Sequence, residues 1–216
     1  MQEGSRRRCR LGEGSRKRTG TAAIYELAIE YRPKGDDARI LDGLRALWKP
    51  PDVGGVWAWK DYLHRHNLSE GLEFEEFQHG YGFLHLPGRP PIGCGSVVSR
   101  EDDELGADWL VFYVPTGMLE LVVAVEYPLW PRARNPWMDG LDGVLLQMAQ
   151  RVYAVSPFQL ALIGEEVTGG SRADQLRSED VVRGGYLVGP EVFGRLRLDR
   201  ARTVTLAGGL RWFPWP

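Results

Sequence analysis

The chain has 216 residues, 43% of them hydrophobic and 26% charged, and a formal net charge of −2. These values fit an ordinary globular protein and exclude a wholly disordered chain, a collagen or a coiled coil. Apolar runs such as Leu110–Val114 and Leu121–Val125 fall far short of the roughly 20 residues that a transmembrane helix needs.

Residues 1–20 hold seven basic and two acidic residues and few apolar ones. Gly, Ser and Arg in this mixture cannot bury a core, so a disordered basic tail is expected. It lacks the apolar stretch of a secretory signal. Two cysteines in unrelated settings, Cys9 and Cys94, make no disulfide framework, so a reducing cytoplasm is the expected location. Residues 21–216 carry 20 basic and 27 acidic residues. Nucleic acid repels such a body, and the tail is the one segment with the charge to touch it.

From Ile24 the chain alternates. Tyr25, Leu27, Ile29 and Tyr31 are separated by Glu26, Ala28 and Glu30, the period of a half-buried strand. Asp36 and Asp37 suit a helix N-terminus, and Ile40, Leu41, Leu44, Leu47 and Trp48 follow helical spacing until Pro50-Pro51. A strand over 56–59 follows, so the opening reads β-α-β. Segments 81–86, 92–99, 109–114 and 119–126 are strand-like, with Glu101–Glu104 as an exposed turn and Pro115-Thr116-Gly117 as a tight hairpin. A proline-rich loop over 127–138 leads to a helix from about Asp139 to Ala154. Asp139 is its expected N-cap, and Leu141, Val144, Leu145, Met148 and Val152 form its apolar stripe. Phe158–Ile163 reads as a fully buried strand, Pro190 as a first helical residue, and 203–213 as a last hairpin across Gly208-Gly209. The expected fold is one α+β domain over 21–216. It has a mixed or mainly antiparallel sheet, two main helices on one side and an N-terminal β-α-β unit.

Motifs of known chemistry are missing. There is no Gly-x-Ser-x-Gly, phosphate loop, Gly-x-Gly-x-x-Gly, His-Glu-x-x-His or Cys-x-x-Cys, so no cofactor and no metal are assigned. All four histidines, His64, His66, His79 and His85, fall within 22 residues of one another. On a strand His64 and His66 would share a face, with Cα atoms ~6–7 Å apart, and Glu75 and Glu76 could add oxygens. This cluster carries the enzyme reading, a metal- or histidine-dependent enzyme acting on a small molecule. Cys94 is a candidate nucleophile and, more simply, a small core residue.

The other reading is a non-catalytic protein-binding domain, immunity-like or adaptor-like. It rests on the loop from Tyr127 to Trp137, where Trp130, Arg132, Arg134 and Trp137 combine with three prolines. Tryptophan and arginine dominate interface hot spots, and prolines reduce the ordering cost. The two arginines would form a positive island on an acidic body. The C-terminal Trp212-Phe213-Pro214-Trp215-Pro216 raises the same question.

Overall fold

The computed structural model describes residues 23–58, 74, 78–197 and 202–216. The basic tail therefore lies outside the described residues. The elements in chain order are β1 (Ile24–Tyr31), α1 (Asp37–Leu47), β2 (Val53–Ala58), β3 (His79–Leu84), β4 (Ile92–Arg100), β5 (Asp108–Pro115) and α2 (Thr116–Leu119). They continue with α3 (Trp137–Val155), β6 (Leu160–Glu165), α4 (Ser178–Val181), β7 (Tyr186–Val188), α5 (Pro190–Leu196), β8 (Val204–Thr205) and β9 (Arg211–Phe213). The strands form one nine-stranded sheet in the order β2-β3-β4-β5-β1-β6-β7-β9-β8. Every described pairing is antiparallel.

The first strand occupies the middle of this sheet. Leu27 faces Phe112 of β5 on one side and Ile163 of β6 on the other. The opening β-α-β order holds in sequence, but β1 and β2 are not neighbours, because β3, β4 and β5 stand between them. That central position also overturns the hairpin expected at Pro115-Thr116-Gly117. Both edges of β5 are taken, by β4 and by β1, so a strand after Pro115 would find no free edge. Residues 116–119 instead form one helical turn, and of the apolar run behind it Val123 is buried while Leu121 is 74% exposed.

One face of the sheet meets the long helices. Tyr25, Leu27, Ile29 and Tyr31 pack there with Ile40, Leu44 and Leu47 of α1 and with Leu141, Leu145, Met148 and Val152 of α3. Asp36 caps α1 by accepting a hydrogen bond from the Arg39 amide at 3.0 Å. Helix α3 starts two residues before Asp139, after Pro136 and without a side-chain cap, so Asp139 lies in its first turn. Trp48, at the end of α1, donates to Ser96 at 2.9 Å and meets Phe112 edge-on. The turn after β4 is more than a solvated tip. Glu101 accepts from the Trp109 indole at 2.9 Å and pairs with Arg172, whereas Asp102, Asp103 and Glu104 are exposed.

Helices on one side were expected, yet the second face is covered as well. Ala28, Trp109, Val111, Leu160 and Leu162 pack there against Ala173, Leu176, Val181 and Val192. Glu26 and Glu30, on the face expected to be wet, are thereby buried at 1% and 2% exposure. A buried carboxylate needs donors, and the covering segment supplies them from its backbone. Glu26 accepts from the Thr168 amide at 2.6 Å and its hydroxyl at 2.9 Å, and Glu30 accepts from the Ala173 amide at 2.8 Å.

Burial pushes Glu30 up from the ordinary 4.5 to about 7, against the Ala173 hydrogen bond and the Arg32 charge; Asp174 and Glu101 push the same way as burial. Between these two values the native protein holds a proton that the unfolded chain has lost. Stability from this group is therefore present at low pH and is lost as pH rises toward 7. Urea unfolding at pH 5 and pH 8 checks this. Relative to Glu30→Gln, the wild type is expected to lose on the order of 2 kcal/mol between the two.

Candidate partner-binding site

The loop from Tyr127 to Trp137 is built around a buried asparagine. Asn135 is fully buried. Its amide oxygen accepts from the Glu126 N–H at 2.9 Å, and its amide nitrogen donates to the Glu126 carbonyl at 2.8 Å and the Leu129 carbonyl at 3.2 Å. Three backbone groups of a short loop are thus satisfied by one side chain, which fixes the loop's path. Trp137, half-buried, donates its indole N–H to the Ala124 carbonyl and to the Asn135 oxygen, both at 3.1 Å. It braces the loop from inside, and the expectation that Trp137 meets a partner is not supported by this geometry.

Arg132 lies in a 3-10 turn spanning Arg132–Arg134. Its guanidinium pairs with Asp142 at 2.8 Å and Asp139 at 2.9 Å, the two acids that the opening of α3 places three residues apart. Acids there also suit the positive end of the helix dipole. Tyr25, from the start of β1, donates to the other Asp142 oxygen at 2.6 Å and accepts from Arg132 at 3.4 Å. Burial pushes the Asp142 carboxyl up to about 6, opposed by the Tyr25 hydrogen bond and the Arg132 charge. Burial opposes the Arg132 charge, but Asp142, Asp139 and Tyr25 outweigh it and raise its pKa. Burial and then Asp142 hold the Tyr25 phenol far above its ordinary range. Both oxygens of Asp142 are engaged within the cluster, which thereby fixes Tyr25 and Arg132 in place.

Above the cluster lies a cleft of about 210 Å³, bounded by Arg132, Asp142, Leu146, Trp212 and Trp215. Trp215 donates to the Ile163 carbonyl at 3.0 Å. Its indole packs on Gly164 of β6 and on Gly185 (φ +80°) just before β7, where a Cβ would take room from the indole. Trp130 meets Trp215 with ring centroids 4.9 Å apart and planes inclined at 60°. The Arg132 guanidinium lies 6.0 Å from the Trp130 ring, within cation–π reach. Trp130 keeps 36% of its surface exposed and nearby Tyr127 keeps 50%. Arg134 is exposed.

Arg132 does not add to a positive island, because Asp139 and Asp142 neutralise it, whereas Arg134 is exposed. Trp130 and the C-terminal tryptophan were each legible as unusual, and the structure brings them together. The sequence marks Tyr25 only as a strand residue and does not single out Asp142, so their part in holding Arg132 is missed. The signal was an acid, Asp142, between two stripe residues of an apolar helix face, Leu141 and Leu145.

Of the histidine cluster, His79 and His85 are exposed at the two ends of β3, while His64, His66, Glu75 and Glu76 lie outside the described residues. Among the described residues no three His, Cys, Asp or Glu side chains come together as a metal site. Cys94 is buried in the first-face core, and burial pushes its thiol up, so it is a packing residue rather than a nucleophile. No helix among the described residues is long and apolar enough to cross a membrane. Compared with known protein families, curated proteins and solved structures, the chain matches none.

Proposed function

We propose that this chain is a non-catalytic protein-binding domain, adaptor-like or immunity-like, that meets its partner through the Trp130–Trp215 face. The observation that carries this reading is the tryptophan pair itself, held partly in the open by a buried Arg132–Asp142–Tyr25 network. Such a surface offers a large apolar area on a support already ordered, so binding loses little conformational entropy. An arginine fixed by two acids, with an asparagine fixing the loop behind it, is rigid positioning. A body with 27 acidic and 20 basic residues beyond residue 20 favours a basic partner. Charge of this kind acts mainly on the rate of encounter and its salt dependence.

Affinity capture from the source cells tests this reading, with the wild type beside Trp130→Ala, Trp215→Ala and the exposed control Leu105→Ala at the far end of β1. The expected result is a basic protein recovered by the wild type and by Leu105→Ala and lost from both tryptophan variants. Recovery of the same proteins by all four, each shown to be folded, would overturn it.

A further inference from the structure

The face that carries Trp130 and Trp215 lies beside the point where residues 1–22 join the described fold. The Ala23 carbonyl accepts from the Thr116 N–H and hydroxyl, both at 2.9 Å, and the Ile24 carbonyl accepts from the Glu166 N–H at 3.1 Å. Glu165 lies across from Tyr25 in the sheet, one residue after the Gly164 on which Trp215 packs. Tyr127 donates to Glu120 at 2.9 Å. Burial pushes the Tyr127 phenol up, a hydrogen bond with Thr116 opposes it, and Glu120 and then Glu165 raise it further, so these four groups gather round one point. Glu165 itself is raised by burial and then by the charge of Glu166. Glu120, Glu165 and Glu166 are exposed, and among the described residues no ion pair joins any of them to a cation. Leu121, next to Glu120, is 74% exposed, Tyr127 50% and Trp130 36%.

Three carboxylates without a described counter-ion, beside open aromatic rings, form a surface for guanidinium groups, which fork onto carboxylates and stack on aromatic faces. The chain supplies its own. Residues 1–20 hold six arginines and one lysine against two acids, and they are tethered at Ala23, beside this face. Arg18 is five residues from Ala23 and Arg6 seventeen, which gives reaches of up to ~18 Å and ~60 Å. Such a tether keeps the segment near the face at an effective concentration of about 1 mM, which offsets the weakness of individual exposed ion pairs. We propose that residues 1–20 dock on this face within the same chain, their arginines pairing with Glu120, Glu165 and Glu166 and covering the Tyr127 and Trp130 rings. On the reading that a basic partner binds here, the segment is a competitor of like charge that the partner must displace. The contact surface is then shielded by its own chain until a partner of higher affinity arrives.

A nitroxide spin label on the full chain tests the proposal by magnetic resonance. Cys9 lies within the segment and the other cysteine, Cys94, is buried in the core, so the label is placed on Cys9 of the native protein. At about 0.05 M salt the indole N–H signal of Trp130 and the amide signal of Tyr127 are expected to weaken at least about twofold relative to the reduced label. The Leu105 amide, at the far end of β1, should keep its intensity. About 0.5 M salt should restore both signals, because exposed charges are then screened. Glu120→Gln/Glu165→Gln/Glu166→Gln, which keeps an acceptor for the Tyr127 phenol, should restore them at low salt. An equal mixture of spin-labelled chain with isotope-labelled chain lacking the nitroxide separates docking within a chain from docking on a second copy. The proposal is overturned if Trp130 and Tyr127 keep their full signals at low salt, if the loss persists in the folded triple variant, or if it appears equally in the mixed sample. No partner takes part in this measurement, so its failure and the failure of partner capture are separate results.

Discussion

Asp142→Ala is expected to cost the fold about 3–5 kcal/mol, the loss seen when one partner of a buried ion pair is removed. The change strips two hydrogen bonds from Asp142, the Tyr25 phenol at 2.6 Å and Arg132 at 2.8 Å. Arg132 is then left with Asp139, whose side chain is 81% exposed, and an exposed pair contributes little. Arg132→Leu/Asp142→Leu is expected to recover much of the loss, because an apolar pair of similar bulk leaves no charge stranded. Urea unfolding of the two variants beside the wild type measures both. A loss below about 1 kcal/mol for Asp142→Ala would show that the network does not hold the loop.

Leu145→Ala is expected to cost about 2–5 kcal/mol through lost transfer energy and the cavity left behind. Leu145 is fully buried in the first-face core beside Leu141, Met148 and Val152. For a domain of this size that corresponds to a fall in melting temperature of roughly 4–20 °C. The same loss in unfolding free energy should appear in urea, with an unchanged denaturant dependence. A loss below about 1 kcal/mol would place this face of α3 against solvent.

Local periodicity carried much of the fold. The alternation from Tyr25 to Tyr31, the stripe of α3 and the fully apolar Leu160–Ile163 each report burial on a face, and each lies in the core. What local pattern does not report is which strand lies beside which. Residues 119–126 have strand composition, but their fate was decided by β1 occupying the edge of β5, a contact nearly ninety residues away in the chain. The same limit hid Glu26 and Glu30. Alternating acids read as a wet face until a distant segment, 168–173, lays backbone amides over them. One clue was present: a strand as apolar throughout as Leu160–Ile163 requires cover on both faces, and its neighbour shares that cover. At the site, composition pointed to Trp130, Arg132 and the C-terminal Trp215, since Trp, Tyr and Arg together are uncommon in a loop. It could not tell an inward arginine from an outward one. That was decided by Asp142, whose distance in space from Arg132 no spacing along the chain reveals.

The central claim is that the Trp130–Trp215 face is a contact surface that the fold holds ready. Its most direct test is calorimetric titration of the captured partner into wild type, Trp130→Ala and the exposed-loop variant Arg134→Ala, each with its unfolding free energy measured in parallel. The account expects Trp130→Ala to lose at least about 30-fold in affinity, a hot-spot loss near 2 kcal/mol. Its stability should fall less than that of Leu145→Ala, and Arg134→Ala should stay as stable as the wild type. A folded Trp130→Ala that binds the partner within about threefold of the wild-type Kd would contradict the claim.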